Sequence, residues 1–279
     1  MALLARETRW QRGPVPRALD GHAVEPGFRV IADGCFLLRC DTGYGYFYEP
    51  GAGITIERPE GADPDEEQLW LNGSVYAAVA SLNGFLPFHA SAVAHDGRVF
   101  AFSGPGGAGK STLAAALGAR GFPLFCDDTL VIDLAEREHV RCMPGHKRLK
   151  LREDALALTG AVAEQPVGAD TGKYYAAPLA GTAREPMRLD TLVFLEEGPE
   201  ARWEPIRGAE RFARLEDEHH TQQLFADAAL STRGELFALR ARIAGQVRMA
   251  RLVRPRSREG FVASLELAAA QIHEAESVA

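Results

Sequence analysis

The stretch Gly104-Pro-Gly-Gly-Ala-Gly-Lys110-Ser111 decides the fold, because it matches the phosphate-binding pattern Gly-x-x-x-x-Gly-Lys-Ser/Thr at every fixed position. An apolar run over residues 98–103 precedes it and has the composition of a buried strand. An alanine-rich run over residues 112–121 follows it and is typical of a helix that ends at a glycine. Strand, glycine-rich loop and helix in this order predict an α/β fold built around a P-loop.

The residue types in this loop suit the phosphate groups of a nucleotide. Glycines let the backbone turn tightly, so that successive N–H groups point at one anion. Lys110 reaches the outer phosphates, and the Ser111 hydroxyl is a ligand for Mg²⁺. A glycine-rich turn without a ligand is the alternative. We expect ATP and Mg²⁺ as cofactors, with the nucleotide bound by Gly104, Gly106, Gly107, Ala108, Gly109, Lys110, Ser111 and Thr112.

Composition limits the remaining classes of protein. The 279 residues are 46% hydrophobic, which is enough for a sizeable core. The formal net charge of −7 argues against a general nucleic-acid binder, and no apolar stretch is long enough to span a bilayer. The four cysteines show no metal-binding spacing. We therefore expect a cytoplasmic protein with no nucleic-acid or membrane partner.

The pattern along the chain predicts two parts. Residues 27–58 alternate apolar segments with turn residues, which indicates several short antiparallel strands. We accordingly expect a small β-rich N-terminal region over residues 1–60 and a catalytic domain over residues 61–279. Within that domain, residues 86–103 have the pattern of a hairpin, and the chain beyond Gly208 has that of about three helices.

An acidic pair, Asp127-Asp128, follows the P-loop helix at the start of an apolar strand. A carboxylate at a strand end beside a phosphate loop is suited to holding the Mg²⁺ of a nucleotide, and a second carboxylate can accept the proton of an attacking hydroxyl. Neighbouring strand residues point in opposite directions, so both can face the nucleotide only if the chain bends here. A polar turn is the alternative. The residues alone do not decide which aspartate does which task.

Three further groups of residues are candidates for the site. His89 lies on the strand that should pair with the strand entering the loop, although a lone histidine on an apolar strand is more often a core residue. Arg148 and Lys150 could offset charge on a transferred phosphoryl group, and a solvated basic segment is the equal alternative. His219-His220 has no partner at metal-binding spacing, which favours a surface position.

Several of these features together resemble the catalytic core of the HPr kinase/phosphorylase superfamily. They are His89-Ala-Ser-Ala-Val, the turn Asp96-Gly97, the P-loop and Asp127-Asp128, in the same order and at similar intervals. The resemblance covers residues 86–134. Pro144-Gly-His-Lys-Arg-Leu-Lys-Leu151 is similar to the Pro-Gly-x-x-Arg-Leu stretch of the small stand-alone kinases related to this family, some of which are encoded beside lasso-peptide precursors. The resemblance to the HPr kinase/phosphorylase superfamily implies a mixed sheet like that of ATP-dependent phosphoenolpyruvate carboxykinase.

The resemblance also implies a role at each matching position. Lys110 and the loop amides would bind the nucleotide phosphates, Ser111 and Asp128 would hold the metal, Asp127 would be the base, and His89 would sit against the aspartate and phosphate site. Thr112 stands where the HPr kinases carry a glutamate, and their glycine-rich signature after the Asp-Asp pair is missing. Both departures argue against HPr as the acceptor and against the reverse, dephosphorylating reaction.

The expected function is therefore an ATP-dependent transfer of the γ-phosphate to a serine or threonine hydroxyl of a peptide or small protein, such as a lasso precursor peptide. The expected catalytic residues are Asp127, His89, Lys110 and Arg148. Homo-oligomers are common in the family and are implied here. Two alternatives stay open: a small-molecule kinase with the same core, and a regulatory module that binds ATP without chemistry.

Overall fold

The computed structural model describes residues 2–133, 135–168, 171–216, 223–224, 227 and 233–275, and these form two compact units. One unit holds the described residues up to Pro87, together with Gly168 and three residues between 223 and 227. The other begins at Phe88 and holds the rest. His219-His220 lies outside the described residues. Each helix in the described part of the chain is too short or too polar to cross a bilayer.

The first unit contains eight short strands, the last of which runs across its boundary. The strands are β1 (Trp10–Arg12), β2 (Ala18–Leu19), β3 (His22–Ala23), β4 (Arg29–Ala32), β5 (Cys35–Arg39), β6 (Gly45–Glu49), β7 (Gly53–Glu57) and β8 (Phe85–Phe88). The helices are α1 (Ala2–Glu7), α2 (Pro64–Trp70), a π-helical turn (Leu71–Val75) and α3 (Tyr76–Leu82). Five of the strands form one sheet in the order β1-β7-β6-β5-β4, antiparallel except for the β1–β7 pair.

Alternating tyrosines explain why the helices after residue 60 belong to this unit. Tyr44, Tyr46 and Tyr48 are buried on one face of the sheet, because alternate strand residues share a face. Their hydroxyl groups donate to the carbonyl of Asp63 at 2.7 Å, the carbonyl of Glu67 at 3.1 Å and a carboxylate oxygen of Glu7 at 2.9 Å. The sheet thus contacts α1 and α2, and the compact unit extends to Pro87 rather than to the boundary expected at residue 60.

The second unit contains eleven strands and five described helices. The strands are β9 (Ala90–His95), β10 (Arg98–Ser103), β11 (Leu124–Cys126), β12 (Leu130–Asp133), β13 (Arg141–Met143), β14 (Leu149–Leu151), β15 (Ala163–Pro166), β16 (Tyr174–Ala176), β17 (Met187–Glu197), β18 (Arg202–Pro205) and β19 (Arg248–Arg254). The helices are α4 (Lys110–Gly118), α5 (Glu153–Thr159), α6 (Ala209–Ala213), α7 (Arg233–Gln246) and α8 (Arg258–Glu274).

The large sheet of this unit is mixed. Its strands run in the order β11-β9-β10-β17-β13-β12. The long strand β17 also pairs with β19, along residues 191–197, whereas β13 pairs with residues 187–188. β10 is antiparallel to β9 and parallel to β17, which is in turn parallel to β19. The predicted hairpin is confirmed, since Asp96 and Gly97 both have positive φ and connect β9 to β10 in a tight turn. The predicted fold class, an α/β P-loop core with a mixed sheet, flanking helices and a β-rich N-terminal segment, is also confirmed.

The strand β19 differs from the prediction of helices alone after Gly208. Its three arginines, Arg248, Arg251 and Arg254, recur at every third position, which imitates the polar face of a helix. In the structure Met249, Ala250, Leu252 and Val253 are buried, and the strand pairs along seven residues with β17. The pairing places Arg254 beside the end of β17 that lies next to the P-loop.

Candidate active site

The phosphate-binding loop connects β10 to α4 over residues 104–109. Gly104, Gly107 and Gly109 have φ values of 150°, 80° and 83°, a region that residues with a side chain rarely adopt. A Cβ atom at Gly109 would collide with the guanidinium of Arg254, and one at Gly104 would lie 3.1 Å from the carbonyl oxygen of Leu195. The backbone shape therefore favours glycine at all three positions, and close neighbours add to this at Gly104 and Gly109.

Lys110 is the first residue of α4, and its ammonium lies over the loop. Nζ donates to the carbonyl oxygens of Gly104 at 2.8 Å and Pro105 at 3.2 Å. The residues from Gly104 to Thr112 line one cavity of about 1280 Å³. The helix N-terminus adds partial positive charge to the lysine at this wall, so the wall is suited to an anion.

Asp127 lies directly beneath the loop and is only 1% exposed. Its Oδ1 accepts hydrogen bonds from the hydroxyl groups of Ser111 at 2.8 Å and Ser91 at 2.6 Å, and its Oδ2 accepts from the backbone N–H of Lys150 at 2.9 Å. Burial, and after it the neighbouring Asp128, raise the pKa of Asp127, while the two serine hydroxyls act in the opposite direction. Three donors thus surround a carboxylate that is shielded from solvent.

The predicted bend at the acidic pair is confirmed. β11 ends at Cys126, β12 begins at Leu130, and Asp128 has a φ of 74°, which is unusual for a residue with a side chain. The bend lets Asp127 reach the P-loop serine while Asp128 lines the cavity. Both carboxylates therefore lie on the side of the loop, which an unbroken strand would prevent.

Asp128 is held by an ammonium group and an imidazole rather than by hydroxyl groups. Its side chain is 33% exposed, and Oδ2 accepts from the ammonium of Lys150 at 2.8 Å. His89 Nδ1 lies 3.0 Å from the Asp128 carbonyl and 3.6 Å from Oδ1. Burial raises the pKa of Asp128, but Lys150 and then His89 outweigh it, so that this pKa lies well below its ordinary value. Asp128 is therefore an ionised carboxylate that a ligand in the cavity can reach.

The structure brings together all but one of the predicted catalytic residues. His89, Lys110 and Asp128 line the cavity, and Asp127 contacts it through Ser111. Arg148 is the exception, since it is not among the described residues that line the cavity. Its guanidinium pairs with Glu164 at 2.5 Å and lies 4.3 Å from the centre of the Tyr175 ring. Glu164 lies on β15, so the guanidinium of Arg148 is paired on the small sheet and not at the loop.

Three residues of the site were missed or only partly predicted from the sequence. Ser91 and Arg254 were given no role, and Lys150 was given one only together with Arg148. Ser91 is the second hydroxyl donor to Asp127, and the motif of the β9 strand could have indicated it. Lys150, rather than Arg148, supplies the cation at the acidic pair. Arg254 hydrogen-bonds the carbonyl of Ala108 through its guanidinium, and Cζ lies 5.5 Å from the centre of the Phe261 ring. Prediction of β19 as a strand parallel to β17 would have placed it beside the loop.

The donor set fits a nucleotide with its magnesium ion. Glycine-rich backbone and Lys110 suit the phosphates, and the Ser111 hydroxyl is a hard oxygen ligand of the kind that Mg²⁺ prefers. Within the described residues there is no group of three or more His, Cys, Asp or Glu side chains that could bind a metal without further ligands.

Comparisons with known proteins add one structural similarity. No protein-family model matches the chain, and no curated protein matches it. Among solved structures, the chain is similar to "Structure of the Hpr(Ser) kinase/phosphatase from Coxiella burnetii", with 14% identity and a TM-score of 0.33. The similarity covers 67% of this chain and 97% of that one. At these values it assigns no function, and the site geometry has to do so.

Proposed function

We propose that this chain is an ATP- and Mg²⁺-dependent kinase that transfers the γ-phosphoryl group to a serine or threonine hydroxyl of a peptide or small protein. One observation carries the proposal: beside a complete P-loop, one carboxylate is buried against the loop serine, and the next carboxylate is ionised and reachable from the cavity. A module that only binds a nucleotide has no need of the second carboxylate. The geometry therefore favours transfer to an acceptor.

The buried carboxylate positions the P-loop serine. The Ser111 hydroxyl donates a hydrogen bond to Asp127, so the lone pairs of its oxygen are directed away from Asp127 and are available to a metal ion. Mg²⁺, when bound, offsets the negative charge of the phosphoryl group during transfer. The loop amides and Lys110 hold the phosphates. Asp127 thus acts through Ser111 rather than on the acceptor.

Asp128 is the residue that we assign as the base, in place of the sequence-based choice of Asp127. Both oxygens of Asp127 already accept hydrogen bonds, and the residue is shielded from any acceptor. In the proposed step the acceptor oxygen bonds to the γ-phosphorus while the bond from that phosphorus to the β–γ bridging oxygen breaks. The hydroxyl proton passes to the carboxylate of Asp128, and ADP is the leaving group. His89 and Lys150 hold that carboxylate in place.

A ribosomally made precursor peptide, as in lasso-peptide pathways, is the finer form of the proposal. The resemblance of residues 144–149 to the small stand-alone kinases supports it. A precursor is therefore a suitable first acceptor to test.

The test is transfer of labelled phosphate from MgATP to two pools, one of serine- and threonine-containing peptides and one of hydroxylated metabolites. We expect a gain of one phosphate in the peptide pool, detected by mass spectrometry. Lys110→Ala should weaken MgADP binding by about tenfold or more and abolish transfer. Arg202→Gln, which removes an exposed cation paired with Glu204, is the control. Binding of MgATP without transfer to either pool would contradict the proposal, and transfer to metabolites alone would assign a small-molecule kinase.

A further inference from the structure

We propose that Arg152 and Lys173 form a subsite for an anionic group, a carboxylate or a phosphate, that the acceptor carries next to its hydroxyl. This inference rests on the proposed kinase function, because it names the chemistry of the acceptor for the same cavity. Both residues line that cavity, and neither had a role in the catalytic step.

The two cations are neighbours across a strand pair. The antiparallel pairing of β14 with β16 ends with Leu151 opposite Tyr174. Arg152 directly follows β14 and Lys173 directly precedes β16, so a continued register would bring them opposite each other. The backbone of Arg152 is still extended, with φ −81° and ψ 166°. Directly opposite residues have Cβ atoms about 4.5–5.5 Å apart. In agreement, a Cβ atom at Gly172 would lie 3.9 Å from Nη1 of Arg152.

The pair points toward the carboxylate that we assign as the base. Alternate residues of an extended chain share a face, so Arg152 lies on the face of Lys150, whose ammonium reaches Asp128 at 2.8 Å. Lys173 is close enough to Asp128 to act on it electrostatically. An acceptor hydroxyl at Asp128 would therefore have these two cations beside it.

Two positive charges opposite each other destabilise a strand pair, so stability does not account for them. Within the described residues, the side chains of Arg152 and Lys173 form no ion pair or hydrogen bond. Asp154 lines the same cavity, but its carboxylate accepts from the backbone N–H of Ala155 at 2.8 Å, at the start of α5. A negative group brought by the acceptor would offset the repulsion and pair with both cations.

The charge of the whole chain sharpens this argument. The formal net charge is −7, so the chain as a whole does not attract an acidic acceptor. The two cations beside the transfer site then give such an acceptor a defined place to bind. The cavity volume of about 1280 Å³ leaves space for this acceptor beside a nucleotide.

The experiment measures binding of three serine-peptide pools to the protein saturated with Mg²⁺ and a non-hydrolysable ATP analogue. The pools differ only at the position beside the serine, which is asparagine, aspartate or phosphoserine. We expect the two charged pools to bind about tenfold more tightly than the asparagine pool. The aspartate and phosphoserine pools distinguish a carboxylate from a phosphate as the preferred group.

The variants are Arg152→Gln, Lys173→Gln and the double substitution, each checked for folding by circular dichroism. The double variant should bind all three pools equally while its affinity for MgADP stays within about twofold. Arg152→Lys should keep a large part of the preference, and Arg202→Gln should keep all of it. The single variants keep the test valid if the double variant does not fold.

Several results would overturn the subsite: equal binding of the pools by the unmodified protein, no binding of any pool, or a preference that survives in the double variant. A loss of affinity for MgATP relative to MgADP would assign the cations to the γ-phosphate instead. The two proposals fail in different ways. A preference for charged pools without transfer from ATP contradicts the kinase, whereas transfer at equal rates to all pools contradicts only the subsite.

Discussion

Two regions of the site hold neighbouring carboxylates in opposite ways. The floor consists of Ser91, Ser111 and Asp127, and the wall consists of His89, Asp128 and Lys150. In the floor, neutral hydroxyl groups and a backbone N–H surround a carboxylate that solvent does not reach. In the wall, a buried ammonium and an imidazole hold a carboxylate that is one-third exposed.

The difference shows how one dipeptide can serve two tasks. Three donors occupy both oxygens of the floor carboxylate and fix its position, and its burial keeps it away from a substrate. An ion pair keeps a carboxylate charged while one of its oxygens stays within reach of the cavity. The bend at Asp128 is what separates the two environments. Each prediction below tests whether this separation is real.

The largest effect is expected at the wall. Asp128→Asn should lower kcat by about 10²–10⁴-fold, because it removes the group that accepts the hydroxyl proton. Its affinity for MgADP should stay within about twofold, since the floor and the loop are unchanged. Steady-state kinetics and calorimetric titration with MgADP measure the two quantities. Asn also tolerates the left-handed backbone of this position, so folding is preserved.

Asp127→Asn is the matched comparison for that variant. It should weaken Mg²⁺-dependent nucleotide binding together with kcat, because an amide cannot accept from all three donors of the floor. If Asp127→Asn lowered kcat alone and Asp128→Asn lowered nucleotide affinity, the assignment of base and positioning residue would be reversed.

A second effect concerns pH and the support of the floor. His146 accepts the backbone N–H of Asp127 through its carbonyl at 3.2 Å, and burial lowers the pKa of His146 to about 4. Between that value and the unfolded-state pKa of about 6.5, the unfolded chain binds a proton that the folded chain does not. The free energy of unfolding should therefore fall as pH drops across this window, by at most about 3 kcal/mol.

The measurement is denaturant unfolding at a series of pH values from 7 to 4 for the unmodified protein and for His146→Gln. The variant lacks the titrating group, so the part of the pH dependence that His146 causes should disappear. An identical slope in both proteins would contradict a neutral, half-buried imidazole beside the floor.

A smaller effect is expected from the cation of the wall. Lys150→Met should lower kcat by about tenfold, because Asp128 loses the ammonium that positions it. The backbone N–H that serves Asp127 is retained in this variant, so the KM for ATP should change little. Lys150→Arg should recover part of the rate. A large rise in the KM for ATP with an unchanged kcat would place Lys150 at the nucleotide instead of the base.

The smallest effect is expected from the second donor of the floor. Ser91→Ala should reduce the free energy of unfolding by about 1 kcal/mol, because one hydrogen bond to a buried carboxylate is lost. Transfer should stay within about threefold, since Ser111 and Lys150 still hold Asp127. Thermal unfolding and initial rates measure these values. A collapse of activity in this variant would show that the floor takes part in the chemistry.

Local rules predicted the parts of the site that are close in sequence. The loop from Gly104 to Ser111, the hairpin turn and the bend at the acidic pair each follow from residue types within a few positions. Partners that are distant in sequence could not be predicted in this way. Arg148 forms an ion pair with Glu164 instead of facing the loop. Arg254 was missed because the arginines of β19 recur at a helical spacing, which hid the strand that brings it to Ala108.

The contact between Arg254 and the P-loop also sets the smallest piece of the chain that keeps this site intact. Residues 104–111 carry the whole phosphate motif, yet Arg254 fills the space against Gly109 from a strand that begins after residue 247. A fragment cut before that strand would retain the motif and lose the neighbour that braces its backbone. A transfer of residues 104–111 alone into another protein would therefore leave out a contact of the loop, and an equivalent of Arg254 has to be transferred with them.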